Sequence, residues 1–258
     1  MKPPGSSETP PACRLSVLLA RDVPEAVIFR RGPSKQVRQI RWSMADDTFQ
    51  PGQWLSGRLY PERCDLSPDG RLLVYFAGRF RHDPPTFTAV CRPPWFTALA
   101  LWPDNSTWGG GGHFTSRRTL VLGYGAAPAP LVVPPDGLSV SGCVGKPPRT
   151  SPWRDNAWRH PRRSRLVLRR TARRKQADDE PLTVARYQIL RGDAVVRDLG
   201  RQDWAAWGPS GDLLHSIDGR LFRCPTDAIG AASVCIADFS ADRFENIPPP
   251  PEARRLPG

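Results

Sequence analysis

Two segments of the chain, 141 residues apart, carry the same pattern, and that spacing constrains the fold more than any other feature. Asp65–Arg81 reads DLSPDGRLLVYFAGRFR and Ala206–Phe222 reads AWGPSGDLLHSIDGRLF. Six of 17 positions are identical without a gap: Pro68/Pro209, Gly70/Gly211, Leu72/Leu213, Leu73/Leu214, Gly78/Gly219 and Arg79/Arg220. Each copy reads as a short apolar strand, a tight turn and a second apolar strand. Pro presets φ for the turn, and Gly accepts the positive φ that a tight reversal needs. A further turn is expected at Gly78 or at Asp218-Gly219, followed by a third strand.

The offset of 141 is three times 47, so two more copies are expected between these. Thr119–Gly123 and Arg165–Arg169 stand in the expected places, and Ala26–Phe29 stands one step earlier. The central apolar residues are Val27, Leu73, Val121, Val167 and Leu214, with steps of 46, 48, 46 and 47. A repeat of about 40–50 residues built from short strands is the signature of a β-propeller blade. The expectation is an all-β chain: a five-bladed β-propeller over residues 13–247, with blades of about 47 residues. Residues 1–12 and the Pro-rich 248–258 read as disordered tails. Blade five is expected as Asp203–Trp207, Asp212–Ile217, Arg220–Cys224 and Ser233–Phe239. Arg14–Ala20 is expected to close the ring by pairing with that blade. The second blade looks short of outer strands, because Trp95–Trp102 follows Thr86–Cys91 at once, so the ring is expected to be irregular there.

The segments DLSPDGRLLVY and WGPSGDLLHSIDGRLF resemble the WD-like repeats of bacterial propellers of the TolB type. Val37–Ser43, VRQIRWS, is similar to the third strand of a WD repeat, but Ser43 replaces the usual Asp and no His-Asp structural tetrad is evident. The stretch from Ala20 to about Phe114 also resembles an uncharacterised bacterial family, in ARDVPEAVIFRRGPSK, RCDLSPDG and TALALWPDNSTWGGGGHF. That second resemblance implies no activity.

Composition supports an all-β reading. The 30 Pro among 258 residues exclude long helices. The net charge of +12 invites a nucleic-acid reading, but it is uneven: +7 over residues 1–150, +9 over 151–175 and −4 over 176–258. Only Lys2, Lys35, Lys146 and Lys175 among the 37 basic residues are Lys, an Arg bias that a GC-rich genome produces through codon usage. The six Cys show no C-x-x-C pair and read as buried thiols. No apolar h-region opens the chain and no run of about 18 apolar residues occurs, so a cytoplasmic protein without membrane contact is expected.

Three features are candidates for chemistry. Arg159, Arg162, Arg163, Arg165, Arg169, Arg170, Arg173, Arg174 and Lys175 surround the fourth ladder strand. They read either as a solvated loop paired with Asp178, Asp179 and Glu180, or as an anion site, since Arg clusters match phosphate geometry. The candidate binding residues there are Arg162, Arg163, Arg169, Arg170, Arg173 and Arg174; no aromatic residues interleave for base stacking. Trp108-Gly109-Gly110-Gly111-Gly112-His113 lacks the Lys-Ser/Thr of a phosphate loop and reads as a flexible connection, with Trp108 and His113 as its candidate binding side chains. The nine Trp read as packing between blades. Neither G-x-S-x-G nor H-E-x-x-H occurs, so no catalytic residue is assigned, and no metal or cofactor is expected. The leading expectation is a non-enzymatic propeller scaffold with a protein partner and an Arg-rich anion-binding patch. The alternatives are a propeller enzyme of glycosidase or lyase type, with acids at the channel mouth, and nucleic-acid binding through the fourth-blade Arg cluster.

Overall fold

The computed structural model describes residues 13–32, 35–124, 128–142, 157–163, 165–174 and 183–258. The chain is all-β, and among these residues twenty strands form five sheets, each built from one contiguous stretch of chain. The first sheet holds β1 (Arg14–Leu19), β2 (Glu25–Arg31), β3 (Gln36–Ser43) and β4 (Thr48–Ser56) in sequence order. The second holds β5 (Arg58–Leu59), β6 (Asp65–Leu66), β7 (Leu73–Gly78), β8 (Thr86–Cys91) and β9 (Ala98–Asp104), with β5 and β6 both pairing β7. The third holds β10 (Gly112–Ser116), β11 (Thr119–Leu122) and β12 (Ser139–Gly142). The fourth holds β13 (Ala157–Arg159), β14 (Leu166–Arg174), β15 (Thr183–Arg191) and β16 (Ala194–Arg201). The fifth holds β17 (Trp204–Trp207), β18 (Leu213–Ile217), β19 (Arg220–Cys224) and β20 (Val234–Asp238).

The 47-residue ladder maps onto this order. Val27, Leu73, Val121, Val167 and Leu214 fall in β2, β7, β11, β14 and β18, one in each sheet, next to that sheet's first strand or strands. The shared turn is closed alike in both copies at its tight reversal, where the Gly70 amide donates to Ser67 O at 2.8 Å and the Gly211 amide to Gly208 O at 2.9 Å. The outer bond differs by one residue: the Ser67 amide reaches Leu72 O at 2.8 Å, and the equivalent Gly208 amide reaches Asp212 O at 2.8 Å. Gly70 and Gly211 hold φ of +72° and +91°, in the region that favours glycine. Asp69 serves this turn, accepting from Ser67 Oγ at 2.6 Å and the Arg71 amide at 3.2 Å.

Burial explains why some ladder strands are apolar throughout and others alternate. In β2, Val27 and Phe29 pack toward the second sheet, while Ala26 and Ile28 pack toward the fifth. In β7, Leu73 and Tyr75 face the first sheet, and Val74 faces the third. A strand covered on both faces reads as a continuous apolar run. In β11 only Leu120 and Leu122, and in β14 only Leu166 and Leu168, join a core cluster. Core clusters therefore join first to second, second to third, fourth to fifth, and fifth to first sheet. No core cluster joins third to fourth among the described residues.

Four expectations change. Arg14–Leu19 pairs with β2, Val17 opposite Ile28, as the first strand of its own sheet. It meets the fifth sheet face to face through Leu15 and Val17, with Ser216 Oγ donating to Leu15 O at 3.4 Å. The second sheet is complete, because β9 pairs β8 along its length. The irregular sheet is the third, with three strands and β12 parallel to β11. Gly78 ends β7 inside the strand, whereas Asp218 and Gly219 make a left-handed turn at φ +51° and +81°.

The fourth change concerns residues 248–258, expected to be a disordered tail. Residues 239–258 form a strap across the first three sheets. Buried Arg30 donates to Phe239 O at 3.1 Å and Asp242 O at 3.0 Å, and Arg38 pairs with Asp242 at 2.8 Å. Gln53 donates to Ile247 O at 3.1 Å, Arg92 to Glu252 O at 2.8 Å, and Arg118 to Pro257 O at 2.7 Å. Pro251–Arg254 forms a short 3-10 helix whose Ala253 is fully buried, and Leu256 packs on the core of the second and third sheets. The strap's many prolines cost little order because their φ is already fixed. Residues 1–12 lie outside the described residues.

Candidate functional site

The fourth sheet carries the Arg-rich segment, and strand alternation divides it. Arg169 and Arg170 are neighbours on β14 and so point to opposite faces. Arg169 donates to Gln188 Oε1 at 2.6 Å, and Gln188 donates to Asp198 Oδ2 at 3.1 Å, a polar ladder along the exposed face of three strands. Arg170 points the other way, into a cavity beside Tyr187. Arg173 and Arg174 sit opposite Val184 and Thr183 at the far end of β14; their side chains, and Lys175, Asp178, Asp179 and Glu180, lie outside the described residues.

Arg162 and Arg163 precede β14 and turn toward Arg191 at the end of β15. With Arg165 and Leu166 they border an open hollow of about 380 Å³. His160 holds this connection: its Nδ1 accepts from the Arg162 amide at 3.0 Å and the Arg163 amide at 2.9 Å. An accepting Nδ1 carries no proton, and burial together with the two neighbouring guanidinium groups keeps the His160 pKa below the ordinary value. The ring lies 4.7 Å from that of Trp207. Arg163 pairs with Asp227; among the described residues no carboxylate borders the hollow itself. Arg165 and Arg191 complete a set of four cations that sequence reading could not assemble, because β15 returns Arg191 beside Leu166 only through the sheet register.

The second site is a cavity of about 490 Å³ where first strands of four sheets meet. Its walls come from the end of β1, Asp65 of β6, Trp158 and Arg159 of β13, and Trp204–Trp207 of β17, with Arg170 and Tyr187 behind them. The first strand of the remaining sheet, β10, is tied in at the rim. The Phe114 amide donates to Asp65 Oδ2 at 2.7 Å, Arg21 Nη2 donates to Phe114 O at 2.5 Å, and Arg21 Nη1 meets Asp65 at 3.5 Å. Burial pushes the Asp65 carboxyl above its usual range, while the Phe114 amide and Arg21 pull it down. Neighbouring His113 is lowered by burial. Trp207 Nε1 donates to Trp158 O at 3.0 Å, fixing the indole at the seam of the fourth and fifth sheets.

The glycine run between Trp108 and His113 is packed rather than flexible. Gly110 and Gly111 hold φ of +88° and +77°, and a Cβ on either would overlap the Phe76 ring or the Arg63 backbone. The Gly111 amide donates to Thr88 Oγ1 at 2.8 Å, and Arg63 donates to Gly109 O. Trp108 is 94% exposed and His113 half-buried, so the structure brings His113 toward Asp65 and leaves Trp108 in solvent. Trp42, Trp102, Trp204 and Trp207 are buried in the cores between sheets. Cys13, Cys64, Cys91 and Cys224 are buried free thiols, Cys235 is exposed, and Cys143 lies outside the described residues. Among the described residues no group of three or more His, Cys, Asp or Glu is placed to hold a metal, and no helix is long and apolar enough to cross a membrane.

No protein-family model and no curated protein matches the chain. Among solved structures it is similar to an uncharacterized protein from Listeria monocytogenes, at 11% identity and a TM-score of 0.33, over 83% of this chain and 62% of that one. It is also similar to an acylaminoacyl peptidase from Pyrococcus horikoshii, at 8% identity and a TM-score of 0.23, over 88% of this chain and 33% of that one. The chain thus spans less than two thirds of either protein, and at these TM-scores neither likeness bears on activity.

Proposed function

We propose that the five sheets are the blades of an irregular β-propeller that works as a non-enzymatic, cytoplasmic interaction scaffold, docking an acidic segment of a protein partner at the arginine-lined hollow. The ring reading is supported by the regular ladder, by packing of the last sheet on the first, and by the shared cavity at the first strands. The observation that carries the docking reading is the convergence of Arg162, Arg163, Arg165 and Arg191 on one hollow, with no carboxylate in its border among the described residues. Guanidinium groups pair with carboxylates bidentately and keep their charge at all physiological pH values.

The enzymatic alternative needs two carboxylates across the central cavity. Asp65 is the one carboxylate lining it among the described residues, which disfavours that reading. The nucleic-acid alternative needs aromatic faces beside the cations, and the hollow's border has none among the described residues. The test is fluorescence anisotropy with a labelled oligo-glutamate peptide and, separately, a single-stranded oligonucleotide of equal charge. The reading expects peptide binding that weakens with salt and falls at least tenfold in Arg162→Gln/Arg191→Gln. Tighter binding of the oligonucleotide, or an unchanged affinity in the double variant, would overturn it.

A further inference from the structure

We infer that His160 is the positioning residue of the arginine-lined hollow: its imidazole, accepting at Nδ1, holds the Arg162–Arg163 backbone in the arrangement that binds an acidic ligand, and protonation of Nδ1 releases it. The inference rests on the docking reading of that hollow and adds its regulation by pH.

Three of the four hollow cations, Arg162, Arg163 and Arg165, stand in the connection between β13 and β14, outside any strand. The His160 amide donates to Leu166 O and the Leu166 amide to Arg163 O, both at 2.8 Å. The Arg162 and Arg163 amides end on the single His160 Nδ1, at 3.0 and 2.9 Å. The ring is wedged in place. It lies 4.7 Å from the Trp207 ring, and a Cβ at Gly211, where φ is +91°, would stand 2.7 Å from its Cε1. The glycine of the repeated turn thus also makes room for the imidazole. With Nδ1 accepting, the ring's proton sits on Nε2, which faces Thr226 Oγ1 at 3.5 Å, and the Gly211 carbonyl accepts from the ring. A second proton can go only to Nδ1, where it meets two N–H donors and no acceptor. Both amides then lose their partner, and an unpaired buried donor costs more than a formed hydrogen bond gains.

Among the described residues, the charged groups on the elements packed against the ring are Arg162, Arg163 and Arg165 on its own connection, Asp212 after β17, and Asp227 in the 3-10 helix Thr226–Ala228. Asp212 is held by Arg223 at 2.9 Å, and Asp227 by Arg163. Burial, Arg163 and Arg162 outweigh the Gly211 carbonyl and Asp212 and keep the ring's pKa below its ordinary value. The hollow is therefore set at neutral pH and released on acidification below about pH 6.5.

The test is fluorescence anisotropy with the labelled oligo-glutamate peptide at pH 7 and pH 5, on the wild type and on His160→Asn. Asn puts an acceptor oxygen where Nδ1 stands and does not titrate, and comparison at equal pH cancels protonation of the peptide. The two proteins are expected to bind alike at pH 7. By pH 5 the wild type is expected to weaken about fivefold more than the variant, the equivalent of one amide hydrogen bond. Nitrogen NMR of the unliganded wild type, which needs no variant, is expected to show the Arg162 and Arg163 amides moving with His160 Nδ1 in one titration. Parallel pH profiles of the two proteins, or amides that hold still while Nδ1 gains its proton, would overturn the regulation and leave the docking reading standing. Absence of peptide binding at pH 7 would overturn the docking reading and the regulation together.

Discussion

Residue by residue, the backbone geometry makes sharp claims. Gly110 combines a positive φ with a close approach to Phe76, whereas Gly192, at φ +61°, has nothing within 4 Å of where a Cβ would sit. Gly192→Ala should therefore cost only the left-handed backbone penalty, about 1 kcal/mol. Gly110→Ala adds overpacking and should cost about 2–4 kcal/mol. Urea unfolding of both variants checks this, and equal losses would contradict the packed loop. Asp203 makes a second claim. Its side chain is 6% exposed, it accepts from the Asp218 amide at 3.0 Å, and burial pushes its pKa up to about 6. A carboxyl raised in the folded state binds its proton there first, so stability is lost as pH rises from about 4 to about 6. Asp203→Asn should remove that loss and gain roughly 2 kcal/mol at pH 7. His215, lowered by burial to about 4, acts in the opposite sense, losing stability as pH falls from 6.5. The comparison is therefore made as variant minus wild type across pH 4–8, and a flat difference would contradict the assignment.

The strands and turns were legible in the sequence wherever one local rule decided them. The Pro-Gly turns were readable because their φ demands are met by single residues, and the four strands of the fifth sheet were delimited within a residue because turns bound them. The C-terminal strap was not readable. Its contacts are backbone carbonyls accepting from Arg30, Gln53, Arg92 and Arg118, and the Asp242 carboxylate accepting from Arg38, all far away in sequence, and a Pro-rich composition looks the same whether or not such donors exist. Truncation after Ser240 would strip Arg30 of its Asp242 carbonyl and Arg38 of its carboxylate. Leaving buried guanidinium groups short of partners should cost at least about 3 kcal/mol, read as a lowered urea midpoint. An unchanged midpoint would mean that the strap is a passive tail. The candidate binding residues divided in the same way. The sequence showed an Arg-rich stretch, but alternation on β14 sends Arg169 and Arg170 to different faces, and only the register of β15 brings Arg191 beside Arg162.

For the whole molecule, the account rests on the first and last sheets packing together while the first strands share one cavity. Leu15 and Leu214 are both fully buried in the cluster joining those sheets. Leu15→Ala and Leu214→Ala should each cost about 2–5 kcal/mol and be coupled by at least about 0.5 kcal/mol in a double-mutant cycle; additive losses would mean that the two sheets do not share a core. The uneven charge of the chain is distributed further at this scale: Arg162, Arg163, Arg165 and Arg191 border the open hollow, and Arg21, Arg159, Arg170 and Asp65 line the cavity. Sequence position could not separate them, because Arg159, Arg162 and Arg163 are near neighbours in the chain yet serve different sites. The most direct measurement is the electron-electron spin-resonance distance between nitroxide labels on Arg14→Cys and Arg220→Cys, two exposed positions on the first and last sheets. The account predicts one narrow distribution at short distance, because the two sheets share a core. A long or broad distribution would contradict it.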